Sequence, residues 1–126
     1  MSLLHEEITG KIIGAFYKVY NSLGYGFLEK VYENAFRVEL LNSGLKVVSQ
    51  RKIQVFYEGY DVGVYYADLM VDDLVIIEIK AASVLLEEHE HQLFNYLKAT
   101  DVEVGLLVNF GKKPEFIRKV FSNALK

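Results

Sequence analysis

The sequence contains no cysteine, which excludes disulfides and thiolate metal sites. Its one proline, Pro114, lies near the end, and no repeat, linker or Pro/Ser-rich stretch interrupts the 126 residues. One domain over residues 1–126 is therefore expected, long enough to bury a single core. No apolar run approaches the roughly 20 residues of a membrane span. The start, Met1-Ser-Leu-Leu-His-Glu-Glu, places acids where an export signal needs basic residues, so neither secretion nor insertion is expected and the cytoplasm is the default compartment. Positive charge is also short: 14 Lys and Arg face 17 Asp and Glu, a net charge of −3. That balance argues against binding phosphate backbones through bulk electrostatics.

Several chemistries are missing as well. There is no nucleophile elbow, Walker loop or dinucleotide fingerprint. Gly24-Tyr25-Gly26 precedes a helical pattern, but no strand leads into it, so it reads as a helix-to-helix turn. His89 and His91 stand two apart and cannot share a helical face, which excludes the zinc-protease pattern with histidines four apart.

What is present is a soluble globular composition, 52% apolar and 25% charged. Ile8, Ile12, Ala15, Phe16, Val19 and Leu23 recur at helical spacing and predict a helix over about 5–22, ended by Gly24. A second helical pattern follows, with Leu28, Val31, Ala35 and Val38 on one stripe and Tyr32, Phe36 and Leu40 beside it. This wide apolar face predicts burial on two sides, and the helix should end near Asn42-Ser43-Gly44. From Lys46 to Val71 the period falls to two, broken at Glu58-Gly59, as in a hairpin. Residues 75–80 then form a β-branched, almost wholly apolar strand. Residues 87–99 read as helix and 103–109 as a buried strand, while 115–123 fits either helix or edge strand. The order α-α-β-β-β-α-β implies an α/β fold, a mixed sheet flanked by helices. Charge is uneven along it. Asp68, Asp72, Asp73, Glu78, Glu87, Glu88 and Glu90 crowd the middle, and Lys112, Lys113, Arg118, Lys119 and Lys126 face only Glu115, a pattern suiting a metal site beside a phosphate-binding rim.

The anomaly is in the strand Val75-Ile-Ile-Glu78-Ile-Lys80. A charged Glu and Lys in an apolar interior strand cost several kcal/mol each unless paired, hydrogen-bonded or bound to metal. A structural Glu–Lys ion pair is one solution. Another uses Asp68, which interrupts the preceding apolar run. A two-residue turn at Asp72-Asp73 would set Asp68 opposite Ile77, on the wrong face for Glu78. Bringing the carboxylates together requires a loop of three or five residues, with Asp73 a candidate for positive φ. Two adjacent carboxylates repel unless a cation lies between them, and hard oxygen donors favour Mg²⁺ or Mn²⁺.

Asp68 followed by Glu78-Ile79-Lys80 resembles the Asp…(Asp/Glu)-x-Lys core of the PD-(D/E)XK nuclease superfamily, with Ala67 in place of its proline. Gly26-Phe-Leu-Glu29-Lys-Val-Tyr32 resembles the motif of the small GxxExxY proteins placed in it. The resemblance spans about residues 5–121 and implies a restriction-endonuclease-like core of order α-β-β-β-α-β. It also implies metal-assisted hydrolysis of phosphodiester bonds in nucleic acid, DNA more than RNA. In that reading Asp68, Glu78 and the carbonyl of Ile79 hold Mg²⁺ (or Mn²⁺), and Glu29 completes the shell directly or through water. Lys80 orients or deprotonates the attacking water, and Gln92 with Tyr96, one helical turn apart, positions the substrate phosphate. A homodimer would suit cutting two strands. The rival reading is a non-catalytic protein-binding module retaining the nuclease fold, which the acidic charge favours; a small-ligand binder has no motif behind it.

Overall fold

The structure, a computed structural model, describes residues 3–126; Met1 and Ser2, part of the N-terminal reading, lie outside them. Helices α1 (Glu6–Leu23) and α2 (Glu29–Asn42) precede strands β1 (Val47–Tyr57), β2 (Tyr60–Val71) and β3 (Val75–Lys80). Helix α3 (Glu87–Ala99), strands β4 (Val104–Phe110) and β5 (Pro114–Val120), and a short 3-10 turn at Asn123–Leu125 follow. The strands lie in the order β1-β2-β3-β4-β5. Only β3 and β4 run parallel, joined by the α3 crossover, and all other neighbours are antiparallel. The segment from 115, compatible with helix or strand by composition, is thus an edge strand as far as Val120.

Helices α1 and α2 cover one face of the sheet, where Phe16, Phe36 and Tyr32 pack with Leu69, Ile77, Val108 and Phe110. Helix α3 covers the other, where Leu93, Tyr96 and Leu97 pack with Met70, Ile76 and Leu107. Covered from both sides, β4 is buried throughout and β3 everywhere except at Lys80, which explains their nearly unbroken apolar sequence. At Gly105 of β4 an added Cβ would lie 2.6 Å from Leu93 Cδ1. The missing side chain there lets α3 approach the sheet.

One expectation needs correcting. Helix α2 buries Tyr32, Glu33, Phe36 and Leu40, with Ala35 partly buried against the core, and Leu28, Val31 and Val38 face solvent. The sequence offers two adjacent apolar stripes, but α1 and the sheet reach α2 from one side only.

The β1–β2 turn is the two-residue Glu58-Gly59, both with positive φ (49° and 82°), the geometry that matches strand twist in a tight hairpin. Farther down the hairpin, regular alternation fails. Ile53 and Ala67 belong to the α3 layer while Leu69 and Val71 belong to the α1/α2 layer, although all four are odd-numbered. The phase inverts where the register puts Gln50 opposite Asp68, and Gln50 has φ +52°. A left-handed residue within a strand costs energy and marks a local constraint.

Candidate active site

The β2–β3 connection sets the register of the site. Val71 pairs with Val75 across a loop of three residues, Asp72, Asp73 and Leu74, with φ +51° at Asp72 and +56° at Asp73. This odd loop pairs Leu69 with Ile77, so the same register carries Asp68 opposite Glu78. Asp72 and Asp73 are turn builders rather than ligands: Lys46 donates its backbone N–H to Asp72 Oδ1 at 2.8 Å and its ammonium to Asp73 Oδ2 at 2.8 Å.

Backbone pairing between β2 and β3 stops at Leu69–Ile77, and beyond it the two carboxylates replace the ladder. The N–H of Asp68 donates to Glu78 Oε1 at 3.0 Å, and the N–H of Ile79 donates to Asp68 Oδ2 at 2.7 Å. Each acid thus grips the other strand at the point where the strands part. Glu78 is only 4% exposed, and among the described residues neither it nor Lys80 makes an ion pair. The structural Glu–Lys pair is therefore not how this strand satisfies its charges.

The electrostatics follow from that. Burial, then the charge of Asp68 and more weakly that of Glu29, push the Glu78 carboxyl up to about 8, against the opposing pull of the Asp68 N–H and Lys80. The Asp68 carboxyl is also raised, by burial first and then by Glu33, against the Ile79 N–H, Gln50 and Lys80. An external cation between these oxygens would relieve both effects. Among the described residues no three His, Asp or Glu side chains converge as a ready metal cage. Two carboxylates suffice for Mg²⁺, which keeps waters and substrate oxygens in its shell.

Lys80 ends β3 beside Asn109 of β4. Asn109, wholly buried, accepts the N–H of Ala82 and donates to its carbonyl, both at 2.9 Å. It pins the chain two residues past the lysine. Gln92 and Tyr96 are brought together, with Gln92 Nε2 donating to the Tyr96 hydroxyl at 2.8 Å. Burial, followed by the charges of Glu78 and Asp68, pushes that hydroxyl up to about 12, so it remains a donor across the working pH range. Glu29 is felt by Glu78 but is exposed at the start of α2 and makes no direct contact with the pair.

Two residues not singled out from sequence complete the neighbourhood. Glu33, 5% exposed, accepts from Lys30 Nζ at 2.7 Å and from Gln50 Nε2 at 2.9 Å, and Gln50 Nε2 also reaches Asp68 Oδ1 at 3.5 Å. Glu33 stands three and seven residues before the buried Phe36 and Leu40, and an acid on a buried stripe is a readable signal. For Gln50 the hint is weaker, the polar run Ser49-Gln-Arg-Lys52 within an alternating strand. The turn motif before α2 is architectural. Gly26 has φ +108°, and the Tyr32 hydroxyl donates to the Gly24 carbonyl at 2.7 Å and accepts the Phe27 N–H, its ring stacked on Phe110.

The wider charge clusters dissolve on inspection. His89 accepts the N–H of Leu86 as a helix cap, Glu90 pairs with Lys119 at 2.8 Å, and Glu87 lies 3.5 Å from His91. Of the basic tail, Arg118 and Lys126 donate to backbone carbonyls. Lys112 and Lys113 are exposed and, among the described residues, their ammonium groups make no ion pair; they lie in the β4–β5 turn beyond the Lys80 end of the sheet.

This combination of sheet and site defines a nuclease-type α/β domain. The sequence profile of the PD-(D/E)XK nuclease superfamily matches residues 6–120, and the chain belongs to that superfamily. Its fold is similar to that of SSO0001 (TM-score 0.57, 18% identity, 74% of this chain and 50% of that one). It is likewise similar to an alkaline exonuclease, LHK-Exo, from Laribacter hongkongensis (TM-score 0.55, 16% identity, 76% of this chain and 57% of that one). The chain thus spans only about half the length of these solved structures. No curated protein matches it. Among the described residues no helix is long and apolar enough to cross a membrane.

Proposed function

We propose that this protein is a metal-dependent nuclease hydrolysing phosphodiester bonds in nucleic acid, DNA more than RNA, and that it belongs to the GxxExxY group of its superfamily. The observation that carries this reading is the carboxylate pair at the parting of β2 and β3, Glu78 buried and Asp68 half-buried, with neither acid nor the lysine at the same strand end in an ion pair among the described residues. Asp68, Glu78 and the carbonyl of Ile79 would hold Mg²⁺ or Mn²⁺. Such an ion supplies positive charge to the scissile phosphate and favours ionisation of the attacking water.

The chain's own groups do the rest. Lys80 orients the water and stabilises charge developing on the phosphate. The Tyr96 hydroxyl, held by Gln92, donates to a phosphate oxygen and fixes the strand. Glu29 acts from the rim, through water. The superfamily membership and the likeness to an alkaline exonuclease support this reading.

The test is cleavage of end-labelled DNA and RNA, duplex and single-stranded, with Mg²⁺ or Mn²⁺, beside calorimetric titration of Mn²⁺. Cleavage and metal binding are expected, and Glu78→Gln and Lys80→Ala should each abolish cleavage with circular dichroism unchanged. Undiminished cleavage in both variants, or no metal binding by the parent protein, would refute the assignment; the latter would favour a protein-binding module.

A further inference from the structure

Between the outer half of the β1–β2 hairpin and α3 runs a groove of about 860 Å³. Phe56 and Tyr65 from the hairpin and Tyr96 from α3 supply its aromatic walls, and Gln54, Gln92 and Asn95 supply amides. Phe56 is 60% and Tyr65 50% exposed, and the Tyr65 and Tyr96 ring centroids are 5.6 Å apart. The groove is continuous with the candidate active site, because Gln92 and Tyr96 belong to both and the Tyr96 hydroxyl responds to the charges of Glu78 and Asp68.

The chemistry of the lining selects the occupant. Exposed rings offer faces on which flat bases stack, and side-chain amides carry donors and acceptors for base edges. Phosphate-reading groups are few: Lys98 lines the groove opposite in sign to Glu88, its ammonium sits 5.7 Å over the Phe94 ring, and the chain as a whole is acidic. A duplex keeps its bases stacked within itself and is held chiefly through phosphates, which this face does not provide for. A strand with free bases can use what the face has. The volume lies in the upper range of small-ligand sites and suits a short run of nucleotides.

We propose that the groove cradles unpaired nucleotides of the strand to be cut, their bases stacked on Tyr65 and Phe56, and leads that strand to Asp68 and Glu78. The inference rests on the nuclease reading for the destination of the strand, but the binding can be measured without cleavage. The chain has no tryptophan, so Tyr65→Trp creates a single fluorescent reporter in the groove.

Its emission should be quenched by oligodeoxyuridylate or oligouridylate without added divalent metal, the tighter of the two identifying the preferred sugar. A blunt duplex of equal length should bind at least about tenfold more weakly. In anisotropy measurements, Tyr65→Ala and Phe56→Ala should each weaken oligonucleotide binding about 5- to 150-fold, the range for one lost base stack, and Tyr65→Phe should retain it. Equal affinity for the duplex, or unaltered binding by Tyr65→Ala, overturns the proposal. So does Tyr65-dependent self-association in sedimentation without oligonucleotide binding, which would give the face to a second copy of the chain. Tyr65-dependent binding with no cleavage under any divalent metal would uphold the groove and remove the nuclease reading; metal-dependent cleavage with binding indifferent to Tyr65 and Phe56 would do the reverse.

Discussion

Glu33 on α2 and Glu78 on β3 are buried to nearly the same degree, and both act electrostatically on or through Asp68, yet the chain treats them differently. Glu33 has an ammonium at 2.7 Å and an amide at 2.9 Å. Glu78 has one backbone N–H and, among the described residues, no ion-pair partner. A carboxylate neutralised from within is part of the architecture. On the proposed reading, the one left with a raised pKa is where a cation from outside would bind, since the fold itself supplies no charge to neutralise it.

The largest way to test this contrast is to remove one charge at a time without changing shape. Glu78→Gln should lower cleavage by at least about a hundredfold, on the scale of losing one preorganised electrostatic contact. It should also alter the pH dependence of stability. With Glu78 at about 8 against its ordinary 4.5, the folded state keeps a proton that the unfolded chain releases. The stability this confers is complete below about pH 4.5 and is lost as the pH rises through 8. Thermal melts of the metal-free protein should therefore show stability falling between pH 5 and 9, by on the order of a few kcal/mol. Mn²⁺ should restore more stability at pH 8 than at pH 6, since binding requires the deprotonated acid. In Glu78→Gln both the slope and the Mn²⁺ effect should largely vanish.

A smaller effect is expected at Asn109, the buried polar side chain that, like Glu33, is satisfied from within. Asn109→Ala strands the N–H and the carbonyl of Ala82, and two unsatisfied backbone groups cost roughly 2 to 4 kcal/mol, readable as a lower urea midpoint. Gly111 shows how tight the clasp is, for an added Cβ there would lie 2.5 Å from the same carbonyl. Because Ala82 follows two residues after Lys80, cleavage should fall as well, with KM changed less than kcat. A midpoint unchanged by Asn109→Ala would show that the clasp is incidental.

These residues also mark what the sequence reveals and what it hides. The need for an odd β2–β3 loop follows from alternation alone once Asp68 and Glu78 must meet, and the loop has three residues with Asp73 at positive φ. The unbroken apolar runs of β3 and β4 likewise state their double burial. Gln50 is another matter. Its positive φ falls where the alternation of both strands inverts, and no local preference of glutamine asks for that conformation; its partners are tertiary, Glu33 at 2.9 Å and Asp68 at 3.5 Å. The buried side of α2 was illegible for a related reason, since two stripes of equal apolarity compete and only the arrival of α1 and the sheet chooses between them. Local pattern fixes where elements lie, and tertiary contact decides which of their faces are used.

The smallest effect is expected at Glu33 itself, and it bears most directly on the contrast. Glu33→Gln keeps the size and the acceptor for Gln50 but loses the pair with Lys30. That ammonium is mostly exposed, so the cost should be about 1 kcal/mol or less. Asp68 would lose a repelling neighbour, and its pKa should move down toward the ordinary value as one of its raising influences disappears. Cleavage should stay within about tenfold of the parent protein, since the carboxylate pair and Lys80 are untouched, and Mn²⁺ should bind only a fewfold more weakly from the loss of one nearby negative charge. Cleavage by Glu33→Gln as poor as that of Glu78→Gln would break the distinction: Glu33 would then belong to the metal shell, and its contacts with Lys30 and Gln50 would be a resting arrangement exchanged when the ion binds.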